Sequence, residues 1–156
     1  MQKISIIIIL LIFSISSCSL GNDGTVTTFQ AEQTHVFEWH LTNISGGIKG
    51  LNKNLEKNVI IWTFITLDTI TGNGTLNVKN NNNDSSFEDG LESGEYAISI
   101  PKHGDHSFLF VDGNEFATLE TPTPKHLILN QNIDSKGNNY SDRYIYSFEL
   151  KVIDVN

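Results

Sequence analysis

From His35 to the C-terminus the chain alternates apolar and polar residues with period two, interrupted by clusters of Gly, Asn and Asp. That pattern predicts short β-strands with one buried face, joined by turns. Residues 36–44 set Phe37, Trp39 and Leu41 on one face and Glu38 and His40 on the other. Residues 45–55 read as a glycine-containing loop with room for one helical turn. A second strand over residues 58–68 carries Ile60, Trp62 and Phe64 on one face. Thr71-Gly72-Asn73-Gly74-Thr75 then marks a hairpin, because Asn-Gly supports the positive φ angles of tight turns. Leu76 and Val78 continue the inward set on the third strand, and the polar run at residues 80–86 is a loop. Residues 94–100 alternate Tyr96, Ile98 and Ile100 against Ala97 and Ser99. A turn at residues 101–106 leads to a fifth strand over residues 107–111, and Asp112-Gly113 signals a hairpin into residues 115–120. A seventh strand covers residues 127–129. After a turn region at residues 134–139, residues 143–153 place Tyr144, Tyr146, Phe148, Leu150 and Val152 opposite Ile145, Ser147, Glu149 and Lys151.

The count is about eight strands, with no amphipathic helix and no internal repeat of solenoid or propeller length. Sequential strands with short connections favour an antiparallel meander, and closing it into an up-and-down barrel removes the exposed edges. A two-sheet β-sandwich yields the same pattern and stands as the alternative. A porin-like membrane barrel is disfavoured, because the strands are short and their outward positions carry charge.

The first fifteen residues differ from the rest. Lys3 precedes a twelve-residue apolar run from Ile4 to Ile15, too short to cross a bilayer but matched to the apolar segment of a secretory signal. The run ends in Ile15-Ser16-Ser17-Cys18-Ser19, around the only Cys of the chain. This resembles the lipobox of bacterial lipoproteins, with Ile15 and Ser17 where that family usually has Leu and Gly or Ala. The resemblance implies that the Cys18 thiol takes a diacylglycerol and becomes the new N-terminus, so that residues 1–17 are a signal peptide. Residues 18–34 then form a lipidated tether and residues 35–156 the β domain. Two or three acyl chains, at about 0.8 kcal/mol per buried methylene, hold a protein firmly on a bilayer. Ser19 in place of Asp is compatible, in that family, with sorting to the outer membrane. Asn22-Asp23 faintly resembles the signal that sends some such proteins to the cell surface.

Composition narrows the function classes. The 156 residues include 10 Lys+Arg and 18 Asp+Glu, for a net charge of −8; cleaving off Lys3 makes it −9. No Lys/Arg stripe exists to displace phosphate counterions, which argues against nucleic acid as a partner. A single Cys excludes an intramolecular disulfide framework and any multi-thiolate metal site.

Three segments together resemble small lipocalin-like lipoproteins of Bacteroidetes-type bacteria: residues 39–50 with Trp39 and a Gly-rich loop, residues 59–64 with Trp62-Thr63-Phe64, and residues 94–100 with Gly94-Glu95-Tyr96. Leu127-Ile128-Leu129 and residues 144–148 extend the likeness to roughly residues 36–150. Phe37 stands where true lipocalins have a Gly two residues before the first-strand Trp. The resemblance implies an eight-stranded up-and-down barrel and, in some relatives, a pocket for a small apolar molecule. It transfers no catalytic residue and no cofactor. An eight-stranded barrel is just wide enough to be filled by its own side chains or to hold one small ligand. The candidate lining is Trp39, Trp62, Phe64, Tyr96, Phe108, Tyr144 and Tyr146, with the phenols as polar contacts. Phe110 and Phe148 add to the same inward bulk.

Other chemistry is thin. His103, Asp105 and His106 read as a turn without a third or fourth metal ligand. Asp84, Glu88, Asp89, Glu92 and Glu95 surround the Asn-rich loop, yet their spacing is not that of an EF-hand. Nothing places two of them across a cleft as a glycosidase pair. No nucleophile elbow, phosphate-cradling loop or Cys/His pair is present, so a non-enzymatic protein is expected. Asp68-Thr69-Ile70 resembles an O-glycosylation acceptor of Bacteroidetes-type exported proteins.

Overall fold

The structure, a computed structural model, describes residues 34–68 and 70–155; of Thr34, His35, Thr66 and Val155 only the backbone is described. The signal and tether, Cys18 and Thr69 lie outside the described residues. Ten strands follow one another with no helix among the described residues: β1 Thr34–Gly46, β2 Leu51–Asn54, β3 Ile60–Leu67, β4 Asn73–Asn80, β5 Gly94–Ser99, β6 Lys102–His103, β7 His106–Val111, β8 Asn114–Thr123, β9 His126–Asn130 and β10 Tyr144–Val155.

Eight of them form a closed antiparallel barrel in up-and-down order, β1-β3-β4-β5-β7-β8-β9-β10, sealed where β10 pairs back onto β1. The architecture is consistent with a lipocalin-like barrel, and the closure excludes the sandwich. β1 makes it possible. One of its edges pairs with β10 from Thr34↔Val155 to Gly46↔Tyr144. The other is shared, Glu38 to His40 facing β3 and Asn43 to Gly46 facing β2. A bulge at Thr42, whose hydroxyl donates to the Ser147 carbonyl at 3.1 Å, lets both Leu41 and Ile44 turn inward. β1 thus pairs on both edges within residues 34–155, and these pairings close the barrel.

Two connections differ from expectation. The loop after β1 forms no helical turn; it folds back as β2, because Gly46 and Gly47 take φ of 104° and 70° and Asn43 Nδ2 donates to Asn52 Oδ1 (2.9 Å) and Asn54 Oδ1 (2.8 Å). The turn at residues 101–106 contains β6, paired with β7 as a small hairpin.

That hairpin also corrects the placement of Phe108. On β7 the side chains packed in the barrel core are Leu109 and Val111, so Phe108 and Phe110 point to the other face. Phe108 is nonetheless buried there, edge-on to the rings of His103 (5.8 Å) and His106 (6.3 Å). Period two marks which residues share a face but not which face is inside, and here the hairpin supplies a second dry surface. The core itself centres on Trp62, Tyr146 and Phe148, all nearly inaccessible, surrounded by aliphatic residues from every stave but β10.

The barrel has two distinct ends. At the lower end lie Thr34, Val155, the β3–β4 turn, the β6–β7 hairpin and the β8–β9 turn. At the upper end lie the β1–β2 hairpin and the long loops 81–93 and 131–143.

Candidate functional site

The interior beneath the upper end is filled by rings. Trp62 contacts Phe148 (5.1 Å between centroids) and Phe116 (5.6 Å); Phe116 contacts Tyr146 (5.7 Å), and Tyr146 contacts Tyr144 (6.4 Å). Phe116 arrives through a bulge: Leu109 pairs with Ala117 and Phe110 with Glu115, so Phe116 is the extra residue and packs against the core beside Ala117. Trp62 Nε1 and the Tyr146 hydroxyl are buried with no hydrogen-bond partner. Burial, followed by the negative charge of Glu88, pushes the Tyr146 phenol far above its ordinary range, so it remains a neutral donor.

Loop 81–93 closes this end. Its polar sequence builds a latch rather than an open, solvated coil. Asn80 Nδ2 donates to Asp89 Oδ2 (3.1 Å) and to the Leu91 carbonyl (3.2 Å), and Asn82 Nδ2 donates to the same Asp89 oxygen (2.8 Å). Lys53 lies over the Phe87 ring at 5.1 Å and beside Asp84 at 3.6 Å. Phe87 and Leu91 pack onto the core, and Gly90, at φ 98°, is seated over Tyr146 and Trp62. Three of the five acids weighed as oxygen ligands are thus engaged locally: Asp84 accepts from Ser86 N–H, Glu88 from Gly90 N–H and Asp89 from two side-chain amides. Among the described residues no group of three or more His, Cys, Asp or Glu is arranged to hold a metal ion.

Between the lid and the β1–β2 hairpin runs a cleft of about 500 Å³. Its apolar wall is Ile48, Leu51, Phe87 and Tyr144; its polar groups are Lys49, Ser85, Ser86, Glu88 and Asp142. A neighbouring cleft of about 400 Å³ shares Glu88, Asp142 and Tyr144 and adds Glu115, Phe116, Gln131 and Arg143. Loop 131–143 carries part of this wall and is organised by Asp134, which accepts from Lys136 N–H (3.0 Å), Asn138 N–H and Nδ2 (both 2.8 Å) and Tyr140 O–H (3.0 Å). The Arg143 guanidinium stacks on Tyr140 at 3.6 Å.

Those donors, the Asn138 side chain first, lower the Asp134 carboxyl from its usual 3.8 to about 2. A depressed carboxyl favours the folded loop above the ordinary carboxylate range, and the effect is lost as pH falls through the folded value. The expected result is an Asp134 side-chain NMR titration with its midpoint near 2. Asp134→Asn should raise amide exchange in residues 132–140 at neutral pH while leaving β4 and β5 unchanged.

Of the seven candidate lining residues, only Tyr144 reaches the cleft. Trp62 and Tyr146 lie in the packed centre, and Trp39, Phe64 and Tyr96 are half-buried against it. The Tyr96 hydroxyl donates to the Glu92 carbonyl at 2.9 Å. Phe108 belongs to the outer face. Missing from the expected set are Ile48, Leu51, Phe87, Glu88, Asp142 and the bulged Phe116. Phe87, an aromatic alone in a polar run, was the one available signal.

On the outer face, His40 is buried as well. Its Nδ1 accepts from Asn58 N–H (3.1 Å), which assigns the ring proton to Nε2, 3.1 Å from Glu38 Oε2. Asn58, at φ 74°, thereby has its turn held against β1.

Comparison with protein-family models, curated proteins and solved structures gave no match, so the site is read from its own residues.

Proposed function

We propose that this is a lipid-anchored envelope lipoprotein, held in the outer membrane through Cys18 at its periplasmic or cell-surface face, whose barrel binds a small, partly apolar ligand without catalysis. The upper cleft is the observation that carries the binding reading. It sets an apolar wall (Ile48, Leu51, Phe87, Tyr144) against two carboxylates, Glu88 and Asp142, at a mouth roofed by an ordered loop. Apolar walls with a few convergent polar groups are what small-molecule sites provide. The two carboxylates outnumber the cleft's one cation, Lys49, and favour a ligand carrying a cationic or hydroxyl group beside its apolar part. The net charge of −8 disfavours nucleic acid as a partner.

The test is native mass spectrometry of residues 19–156 after incubation with envelope lipid extract. A bound small molecule is expected, with affinity falling roughly tenfold or more in Tyr144→Ala/Glu88→Gln, as expected when a ring contact and a charge-assisted hydrogen bond are both lost. No bound molecule, with unchanged Trp emission across added amphiphiles, would sink the carrier reading. It would favour the second one, an interaction module for a protein or glycan partner, which the ring-filled interior supports. The anchor is tested separately. Cys18→Ala should move the protein from the membrane pellet to the soluble fraction, and retention in the pellet refutes lipidation.

A further inference from the structure

The lower end of the barrel exposes a group of large apolar side chains. Phe37 is 52% exposed, Val152 50%, Leu67 42%, Ile65 54% and Ile70 94%. They are not scattered. Phe37 and Val152 are direct cross-strand partners near the start of β1 and the end of β10. Ile65 is at the β3 bulge, Leu67 ends β3, and Ile70 tips the β3–β4 turn. Phe37 alternates with Trp39, and Leu67 lies in the row of Gly74 and Ile98, so both continue the barrel's inner face past the end of its packing. Among the described residues of the upper end, Ile48 is alone in comparable exposure. Apolar clusters of this kind on a soluble body mark contact surfaces.

We propose that this lower end docks on the surface of a lipid bilayer. Two further observations select that occupant. Residue 34, where the chain from Cys18 arrives, is the first residue of β1 and lies at this same end, so a lipid on Cys18 would bring this rim toward the membrane. The charge is distributed to match. Loops 81–93 and 131–143, at the far end, carry Asp84, Glu88, Asp89, Glu92, Asp134 and Asp142 against Lys136 and Arg143, with Lys49 and Lys53 on the neighbouring hairpin, so acids prevail there. The turns around the rim balance Asp68 and Asp105 with Lys102 and Lys125. An anionic bilayer repels the first end and not the second. Each side chain sinking into the interface gains apolar burial, as interfacial helices do. Docking would hold the barrel upright, with the Glu88–Asp142 cleft facing away from the membrane.

The orientation rests on the lipid-anchor reading, so the test supplies a tether of its own. Residues 19–156 carrying an N-terminal polyhistidine tag are held on phosphatidylcholine vesicles containing nickel-chelating lipid, with acyl chains either brominated or plain. Trp39 stands two residues from Phe37, about 7 Å along the strand, and reports contact with the chains. Lower Trp emission on brominated vesicles is expected, lost in Phe37→Ser/Leu67→Ser/Ile70→Ser. Ile70→Ser alone, at a turn tip with little to unfold, should weaken the quenching while the thermal midpoint stays unchanged. Equal emission on both vesicle types overturns the proposal, as does a solution dimer that the Ser variants dissociate, which would make a second copy the occupant. Either outcome leaves the Cys18→Ala fractionation result untouched.

Discussion

Trp62→Ala is expected to be the most destabilising single truncation in the barrel, costing about 4 kcal/mol. Trp62 is 1% exposed and touches both Phe148 and Phe116, so its loss opens a cavity between rings that cannot collapse while eight staves hold them apart. Against a typical domain stability of about 5–15 kcal/mol, this removes a large share and should lower the thermal midpoint by roughly 10–20 °C. Urea unfolding followed by circular dichroism measures it, with the m-value checking that unfolding stays two-state. Trp62→Phe should cost much less, because a ring still fills the site and an unpartnered indole N–H is removed. A Trp62→Ala loss below about 1 kcal/mol would mean that the interior has room to rearrange, and the filled-barrel description would fail.

In the proposed binding function, the same interior decides where the ligand sits. A lipocalin-like barrel with small residues at these positions would hold its ligand in the middle. Here Trp62, Tyr146, Phe148 and Phe116 occupy that space, and the lid seats Gly90 above them. The available volume is displaced to the rim, where the walls are half polar. An amphipathic ligand is therefore favoured over a wholly apolar one. Two buried donors, Trp62 Nε1 and the Tyr146 hydroxyl, remain directly under the lid. Tyr146→Phe, removing one of them, should be close to neutral in stability.

The barrel was largely legible in the sequence because closure is a period-two problem. Trp39, Trp62, Leu76, Ile98 and Phe148 all fall where alternation puts them, and the turn chemistry at Asp112-Gly113 fixes its joint. The β3–β4 joint is displaced from expectation: Asn73 and Gly74 already belong to β4, and the turn is made by Asp68 and by Gly72 at φ 72°. The cleft was far less legible, for three physical reasons. Bulges at Thr42 and Phe116 shift the inward set by one residue, which no local pattern reports. The phase of β7 is set by its contact with the β6 hairpin, so Phe108 faces away from the core despite its size. The lid is written largely in Asn, Asp, Glu and Ser, and bonds across the loop such as Asn80 to Asp89 turn that composition into a fixed wall.

Gly46→Ala should be the second costly change, and it should act on the site as well as on the fold. Gly46 closes β1 against Tyr144 with φ of 104°, a conformation that L side chains rarely adopt. An added Cβ would also overlap the Arg143 carbonyl oxygen, the acceptor for Gly47 N–H at 2.9 Å. The carbonyl belongs to backbone and cannot swing aside, so the β1–β10 seam must open at its upper end. Backbone strain and a lost ladder bond together suggest about 2–4 kcal/mol. Gly50 offers the control. Its φ is 61°, the left-handed region where Asn is tolerated, and nothing lies within 4 Å of its Cβ position, so Gly50→Asn should cost less than about 1 kcal/mol. Hydrogen exchange separates strain from clash. In Gly46→Ala the amides of Gly47 and Tyr144 should lose protection first, while those of β4 and β5 keep theirs relative to the new global stability. Affinity for the proposed ligand should fall with them, since Gly46 and Tyr144 both line the cleft. Wild-type protection at Gly47 in the Ala variant would show that the seam tolerates a side chain, contrary to the geometry of its closure.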